Sequence, residues 1–316
     1  MTTRTVDAAL LGVAVVWGSS YLAAKSLVTA DTVYPVLAIR FAVGALALTA
    51  LLACRLRSVT RAEFLAGSSL GILLAVVLAL ETEGVVRTSA SNAGLIIATT
   101  IVLTPLLDRR VAVRMPASLY RATALAVGGV AVLTQTGAGF VAPNAGDLLV
   151  GCAALARTLH VIAISRMSAG RPVDSGRVTL IQLLTAAAAF CAVTAWQNRG
   201  VVAVAAAMTT TDWLLMGYLA LGCTVFAFLV QMWAVRRTSA SRVALLLGTE
   251  PIWAAVTGVV VGGDAVTVTG VAGAVLILSG TNWARRIEAR ARPCLYDERV
   301  PRQHRPARIA PGRGVS

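Results

Sequence analysis

Lysine is almost missing from this chain. Of its 28 basic residues only Lys25 is a lysine, and histidine occurs just twice, at His160 and His304. Charge of either sign is scarce, at 13% of 316 residues, where soluble domains carry roughly a quarter. The five cysteines (Cys54, Cys152, Cys191, Cys223 and Cys294) form no Cys-x-x-Cys pair, so neither a metal site nor a disulfide framework is expected. There is no Gly-x-Ser-x-Gly elbow, no His/Asp/Glu set at metal spacing and no Walker phosphate loop. Those absences argue against hydrolase, metalloenzyme and ATP-driven chemistry within the chain. The expectation is a protein that is not an enzyme and needs no cofactor.

What is present in abundance is apolar sequence: 57% hydrophobic residues and a mean hydropathy of +0.78. A soluble fold of this length could not hide so much apolar surface, whereas a bilayer needs only about 20 apolar residues per helical span. Runs bounded by charge, Gly or Pro fall near 8–28, 33–54, 63–84, 89–107, 117–137, 146–165, 176–196, 213–234, 241–262 and 266–283. No small-residue cleavage site stands out near Val6–Val28, so the first run reads as a span rather than a removable signal. The pattern predicts an all-α integral membrane protein with ten transmembrane helices.

The net charge of +14 does not point to nucleic acid, because its placement follows the spans. Arg55, Arg57, Arg61, Arg109, Arg110, Arg114, Arg166, Arg171, Arg177, Arg236, Arg237 and Arg242 lie in loops 2–3, 4–5, 6–7 and 8–9. The opposite loops hold Arg87 and Arg199. The positive-inside rule then puts both termini in the cytoplasm of a multi-pass protein of the cell (inner or plasma) membrane. Nine arginines and four prolines follow Trp283, so 285–316 reads as a disordered basic cytoplasmic tail, solvated or held against anionic lipid.

One tetrapeptide occurs twice. Thr88-Ser89-Ala90-Ser91 opens span 4, and Thr238-Ser239-Ala240-Ser241 opens span 9. A fixed-distance repeat signals duplication, and a unit of five spans inverts its second copy. The expected organisation is a first repeat over 1–140 and a second over 141–284. Inverted repeats around a midplane site are the architecture of alternating-access carriers.

Several segments carry a family resemblance: Trp17-Gly18-Ser19-Ser20, Arg40-Phe41, Thr88 through Ala93, Gly146-Asp147, Thr238 through Arg242, Glu250-Pro251, and Gly270 to Gly280. In their order and spacing the chain resembles the EamA branch of the drug/metabolite transporter superfamily. The resemblance implies a ten-helix carrier of small metabolites, usually an exporter, with its pathway between the halves. It also implies that Trp17, Ser20, Tyr21 and Asn92 surround the central cavity, or else serve helix packing. The chain departs from the family pattern at Arg157 and His160, where a tryptophan and a tyrosine are usual, and at Gly263-Asp264, where Gly-Glu is usual. Pro105 also comes one turn later after its motif than Pro251 does.

Ionisable groups deep in a bilayer cost about 2.5–3.5 kcal/mol each on insertion scales, so they face a cavity or a partner. Arg157 lies ten residues beyond Asp147, near the midplane at about 1.5 Å per residue. Glu250 reaches a similar depth in span 9. The two could pair, or bind opposite ends of a zwitterionic substrate; Glu250 could instead shape a kink at Pro251. His160 shares the face of Arg157 and suits proton coupling, or a helix–helix hydrogen bond. Trp17 and Trp253 are candidate apolar walls. Arg40, Glu81, Glu83 and Arg87 read as an outer-mouth charge network, structural or gating, and Lys25 could snorkel to the interface. Trp196, Trp213 and Trp283 read as interfacial anchors.

The leading expectation is a secondary carrier of small metabolites, anionic or zwitterionic ones included. Protons are the candidate coupling ion and the bilayer the expected partner, with no nucleic acid and either a monomer or a homodimer. The competing classes are an integral-membrane enzyme and a receptor-like scaffold without transport.

Overall fold

A backbone crossing lipid must satisfy its own polar groups, and a helix does so within one segment. The structure is a computed structural model that describes residues 3–53, 59–88, 93, 96–108, 116–133, 144–168, 173–198, 200–261, 266 and 268–296. Among the described residues every regular element is helical. They are α1 (Thr3–Leu27), α2 (Val33–Leu52), α3 (Arg61–Arg87), α4 (Thr100–Leu107), α5 (Ala117–Leu133), α6 (Ala145–Ser168), α7 (Ser175–Trp196), α8 (Val201–Ala207), α9 (Thr210–Gly217), α10 (Ala227–Arg237), α11 (Ala240–Leu247), α12 (Glu250–Val260) and α13 (Val268–Tyr296). A π-helical stretch, Tyr218–Phe226, joins α9 to α10. Among the described residues, six helices are long and apolar enough to cross a membrane: Arg4–Ala24, Val33–Leu52, Arg61–Arg87, Ala145–Met167, Ser175–Trp196 and Thr210–Arg237. Of the other described elements, α13 is the longest helix but holds only a shorter apolar stretch, Val271–Ala284, and the rest are shorter pieces. Expectations for Ser89 to Asn92, for Arg55, Arg57, Arg109, Arg110, Arg114, Arg171 and Arg199, for Gly263-Asp264, for 297–316, and for the side chains of Lys25 and Pro105 lie outside the described residues.

The described residues of the repeated tetrapeptide, Thr88 and Thr238 to Ser241, act as punctuation between helices. Thr88 closes α3 with its backbone N–H on the Gly84 carbonyl at 3.0 Å, and Thr238 closes α10 on Ala234 at 2.9 Å. Ser239 then caps α11, its hydroxyl accepting the Arg242 N–H at 3.1 Å, as an N-cap serine should. The ninth apolar run is broken rather than continuous. Gly248 and Thr249 separate α11 from α12, and Pro251 sits in the first turn of α12, where its missing N–H costs nothing.

Packing gathers α1, α2, α3, α6, α7, α10, α11 and the π stretch around one core that includes Leu10, Phe41, Leu74, Leu183 and Phe190. A second cluster joins α5 and α13 to α4 and α11 through Ile101, Leu119, Ala126, Leu245 and Ile277. Close helix approach is made by glycine. A Cβ on Gly18 would lie 2.6 Å from the Glu250 carbonyl and 2.7 Å from Trp253 Cβ, so α1 and α12 touch backbone to backbone. Large apolar side chains such as Leu46 (73% exposed) and Val260 (76%) point outward, as a lipid-facing surface requires.

Two elements depart from the expected pattern. The helix α8 lies in a segment expected to be a plain connection; Val201, Val204 and Ala205 pack it against Val36, Ile39 and Met216. The last helix runs to Tyr296, so the expected disordered tail from 285 begins as helix. Ala, Arg and Glu are strong helix formers, and Ile287 is buried with Ala284 in the second cluster.

Candidate functional site

Helical spacing puts Trp17, Ser20 and Tyr21 on one stripe of α1. Trp17 is 4% exposed and Tyr21 8%. The Trp17 indole N–H donates to the Cys223 carbonyl at 2.8 Å, in the π-helical stretch where regular backbone pairing is disturbed. The Ser20 hydroxyl is turned back onto the Trp17 carbonyl at 2.7 Å. The Tyr21 hydroxyl donates to Glu250 Oε1 at 2.8 Å.

Arg157 is the hub of this region. Its Nη1 lies 3.5 Å from Glu250 Oε2 and 3.8 Å from Glu81 Oε2. Its guanidinium sits over the Trp17 ring, 4.3 Å from the centroid, a cation–π contact that holds the planar group flat. One cation thus faces two carboxylates, from α12 and α3, with an aromatic wall on α1. Glu250 is buried while Arg157 and Glu81 are half-buried, and the shared cation offsets part of the cost of holding two carboxylates in such a place.

Two pockets meet at this cluster. The first is lined by Tyr21, Ile97, Thr100, Thr104, Thr158 and Pro251, among others. The second is lined by Trp17, Ser20, Arg40, Glu81, His160 and Phe228. Arg157, Gln231 and Glu250 line both, so these three stand where the pockets adjoin.

The charged residues expected at the outer mouth separate into two groups. Arg87 pairs with Glu83 one turn earlier on α3, through both its carboxylate and its carbonyl. Glu81 instead reaches the Arg157 cluster. Residues two apart on a helix point about 200° away from each other, so Glu81 and Glu83 cannot serve the same side. Arg40, expected to satisfy one of those glutamates, donates its Nε to Thr224 Oγ1 at 2.8 Å and lines the second pocket. The Thr224 hydroxyl in turn donates to the Leu219 carbonyl, five residues back in the π stretch, at 2.9 Å.

His160 lines the second pocket, is 1% exposed and stands edge-on to Phe228, with ring centroids 6.4 Å apart. Trp253 packs at the α1–α12 crossing with its indole N–H buried and without a partner; neither pocket includes it. Gln231, at 1% exposure, is the residue that sequence reasoning missed. Its signal was legible: one amide in the middle of Ala227 to Ala234, a run otherwise apolar.

Two further polar contacts tie the chain ends of helices together. Asp147, at the start of α6, accepts the Thr88 hydroxyl and the Asn144 N–H at 2.8 Å. Asp7, near the start of α1, takes a two-pronged contact from Arg242, with Nη2 at 2.7 Å from Oδ2 and 2.8 Å from Oδ1.

The EamA-like transporter family matches the chain twice, over residues 4–135 and 144–284. The chain belongs to the EamA-like transporter family. No curated protein matches it in sequence. A solved crystal structure of a protein superposes with a TM-score of 0.73 at 17% identity, covering 92% of this chain and 99% of the other. That likeness concerns the fold. This EamA-like protein is therefore a multi-pass helical membrane protein of a transporter family, built from two homologous halves.

Proposed function

We propose that this EamA-like protein is a ten-span secondary carrier, an exporter of small zwitterionic or anionic metabolites that works by alternating access. The observation that carries the reading is the Glu81–Arg157–Glu250 cluster, which stands where two pockets adjoin and is contributed by both halves of the chain. A charge cluster so costly in lipid marks a pathway by default. The halves are read as inverted repeats of five spans, with both termini cytoplasmic in the cell membrane. Helix contacts support a two-fold relation: α2 packs on α7, α5 on α13, α1 on α12, and α4 on α6, which are the pairings a pseudo-two-fold axis would exchange or preserve.

In this reading Arg157 positions the acidic end of the substrate by trading contacts with Glu250 and Glu81, and Trp17 forms the apolar wall. Tyr21 and Ser20 complete the surround, and Asn92 and Trp253 are further candidate substrate contacts in this reading. His160 and Glu250 are the proton-coupling candidates, and a monomer holds a full pathway, a homodimer remaining compatible with it. The test is flux of a metabolite mixture from proteoliposomes holding the purified full chain, with and without a proton gradient. Expected is saturable movement of a subset of solutes. Absence of flux for every solute under either condition would sink the carrier reading and return the field to a membrane enzyme or scaffold.

A further inference from the structure

The span Thr210–Arg237 is not a regular α-helix along its whole length. An α-helix pairs every interior carbonyl with the N–H four residues on. Between Tyr218 and Phe226 the turns are π-helical, and pairing reaches five residues instead. Where the π turns give way to α10, one carbonyl is passed over. The Ala227 N–H is shared by the carbonyls of Gly222 and Thr224, with Cys223 left out between them. The Trp17 indole N–H donates to that Cys223 carbonyl at 2.8 Å. The next residue is altered as well. Thr158, Thr185 and Thr194, in regular helices, donate their hydroxyls four residues back, to Ala154, Ile181 and Phe190. Thr224 donates five back, to Leu219, and its oxygen accepts the Arg40 Nε at 2.8 Å. The stretch is also gripped from α1: the Tyr218 hydroxyl and the Cys223 thiol both donate to the Val16 carbonyl, at 3.1 Å and 3.6 Å.

The two side chains held in this way, Trp17 and Arg40, both line the second pocket. Trp17 in turn carries the Arg157 guanidinium on its ring, 4.3 Å from the centroid. Both cations of that pocket are therefore anchored on consecutive residues of one irregular turn, Arg40 on Thr224 and Arg157, through Trp17, on Cys223. A long guanidinium side chain has much rotamer freedom to lose, and one fixed in advance does not lose it on binding. We infer that the π-helical stretch is the positioning element of the carrier, with Thr224 orienting Arg40 directly and the Cys223 carbonyl orienting Arg157 through Trp17. Neither pocket includes Thr224, so it acts at one remove from the substrate. An α-helical register would return the Cys223 carbonyl to its own backbone and turn the Thr224 hydroxyl onto the carbonyl four back. Both anchors thus depend on the one extra residue in this turn, and rare π turns of this kind recur where a site needs a displaced group.

This inference rests on the carrier reading, and the experiment separates the two. Proteoliposomes with the full chain are loaded with a mixture of amino acids and small carboxylic acids, and efflux is followed by mass spectrometry. Each solute that the parent chain moves is then loaded alone at graded concentrations, giving a half-saturating load and a maximal rate. Thr224→Val keeps the shape and deletes the hydroxyl; it is expected to raise the half-saturating load roughly tenfold, with the maximal rate little changed. Thr224→Ser keeps the hydroxyl and is expected to restore the parent value. Trp17→Phe keeps a ring under Arg157 and deletes the indole N–H, and the same shift in half-saturating load is expected. Leu221→Ala trims an exposed side chain of the same stretch and is expected to leave both constants unchanged. If Thr224→Val does not yield monodisperse protein, Trp17→Phe carries the test. An unchanged half-saturating load in Thr224→Val or in Trp17→Phe overturns the inference while leaving a carrier. So does failure of Thr224→Ser to restore it, or an equal shift in Leu221→Ala. No efflux of any solute by the parent chain removes both readings together.

Discussion

Arg157 faces Glu250 at 3.5 Å and Glu81 at 3.8 Å, with Trp17 beneath its guanidinium. Replacing it by a neutral side chain leaves two carboxylates without their shared cation, in a place where one uncompensated charge already costs about 2.5–3.5 kcal/mol. Arg157→Gln is therefore expected to abolish flux in proteoliposomes while membrane insertion, followed by fractionation, stays normal. Normal flux in that variant would remove Arg157 from the substrate pathway. His160 is the residue-scale test of coupling. His160→Phe keeps an aromatic ring against Phe228 and deletes the titratable nitrogen, so the part of the pH dependence of flux that runs through His160 should be lost. An unchanged pH profile would take His160 out of the coupling step.

At the scale of elements, the α1–α12 contact depends on one missing side chain. A Cβ at Gly18 would meet the backbone of Glu250 at 2.6 Å and of Ala254 at 2.8 Å, and backbone cannot rotate away. Gly18→Ala is expected to destabilise by about 1–3 kcal/mol, the usual range for overpacking, and to displace Glu250 from Tyr21 and Arg157. A Cβ at Gly128 on α5 meets nothing within 4 Å. Gly128→Ala should leave the thermal midpoint unchanged or slightly raised, since alanine is the better helix former. Equal midpoints for both variants would remove the close approach as the reason for glycine at position 18. The broken ninth run belongs to the same scale. Ending α11 at Leu247 and restarting at Glu250 puts Glu250 in a first helical turn, where a carboxylate is favoured by the helix dipole.

At the scale of the molecule, the duplication has produced two ties of unequal strength. Asp7 precedes Trp17 by ten residues, and Asp147 precedes Arg157 by ten; the two aspartates hold equivalent places in the halves. Asp147 meets Thr88 of the first Thr-Ser-Ala-Ser copy, while Asp7 meets Arg242, just past the second copy. Asn92 occupies the place in the first copy that Arg242 holds in the second. One end is thus held by a hydrogen bond and the other by a buried two-pronged ion pair, which is the stronger form of contact. With the proposed orientation, the ion pair closes the cytoplasmic side. Asp7→Asn is expected to increase labelling of a cysteine placed at Ala244, in the first pocket, by a membrane-impermeant thiol reagent applied from the cytoplasmic side. The charge-reversed pair Asp7→Arg with Arg242→Asp should restore protection. No change in labelling would show that the pair does not close that side.

Legibility followed the range of the physics involved. The long helices Val33–Leu52, Arg61–Arg87 and Ser175–Trp196 could be read from apolar runs, though not α8 or the break in the ninth run, and the duplication could be read from a repeated tetrapeptide. Arg157, His160 and Glu250 could be recognised as costly residues at depth. Their partners could not, because the rotation of each helix about its axis is set by what packs beside it. Glu81 and Glu83 were placed together by sequence and pulled apart by two residues of helical turn. Gln231 carried a visible signal, yet only its position at the junction of two pockets separates it from an amide buried by chance.

The sequence by itself determined a helical, multi-pass membrane protein made of two related halves, because hydropathy, arginine placement and capping are local properties of the chain. Only the tertiary structure decided which buried charges share a cluster, which acceptors are left without donors, and which tie became an ion pair. Those outcomes depend on distances of a few ångströms between helices far apart in sequence, 235 residues in the Asp7–Arg242 ion pair, and no local pattern encodes them.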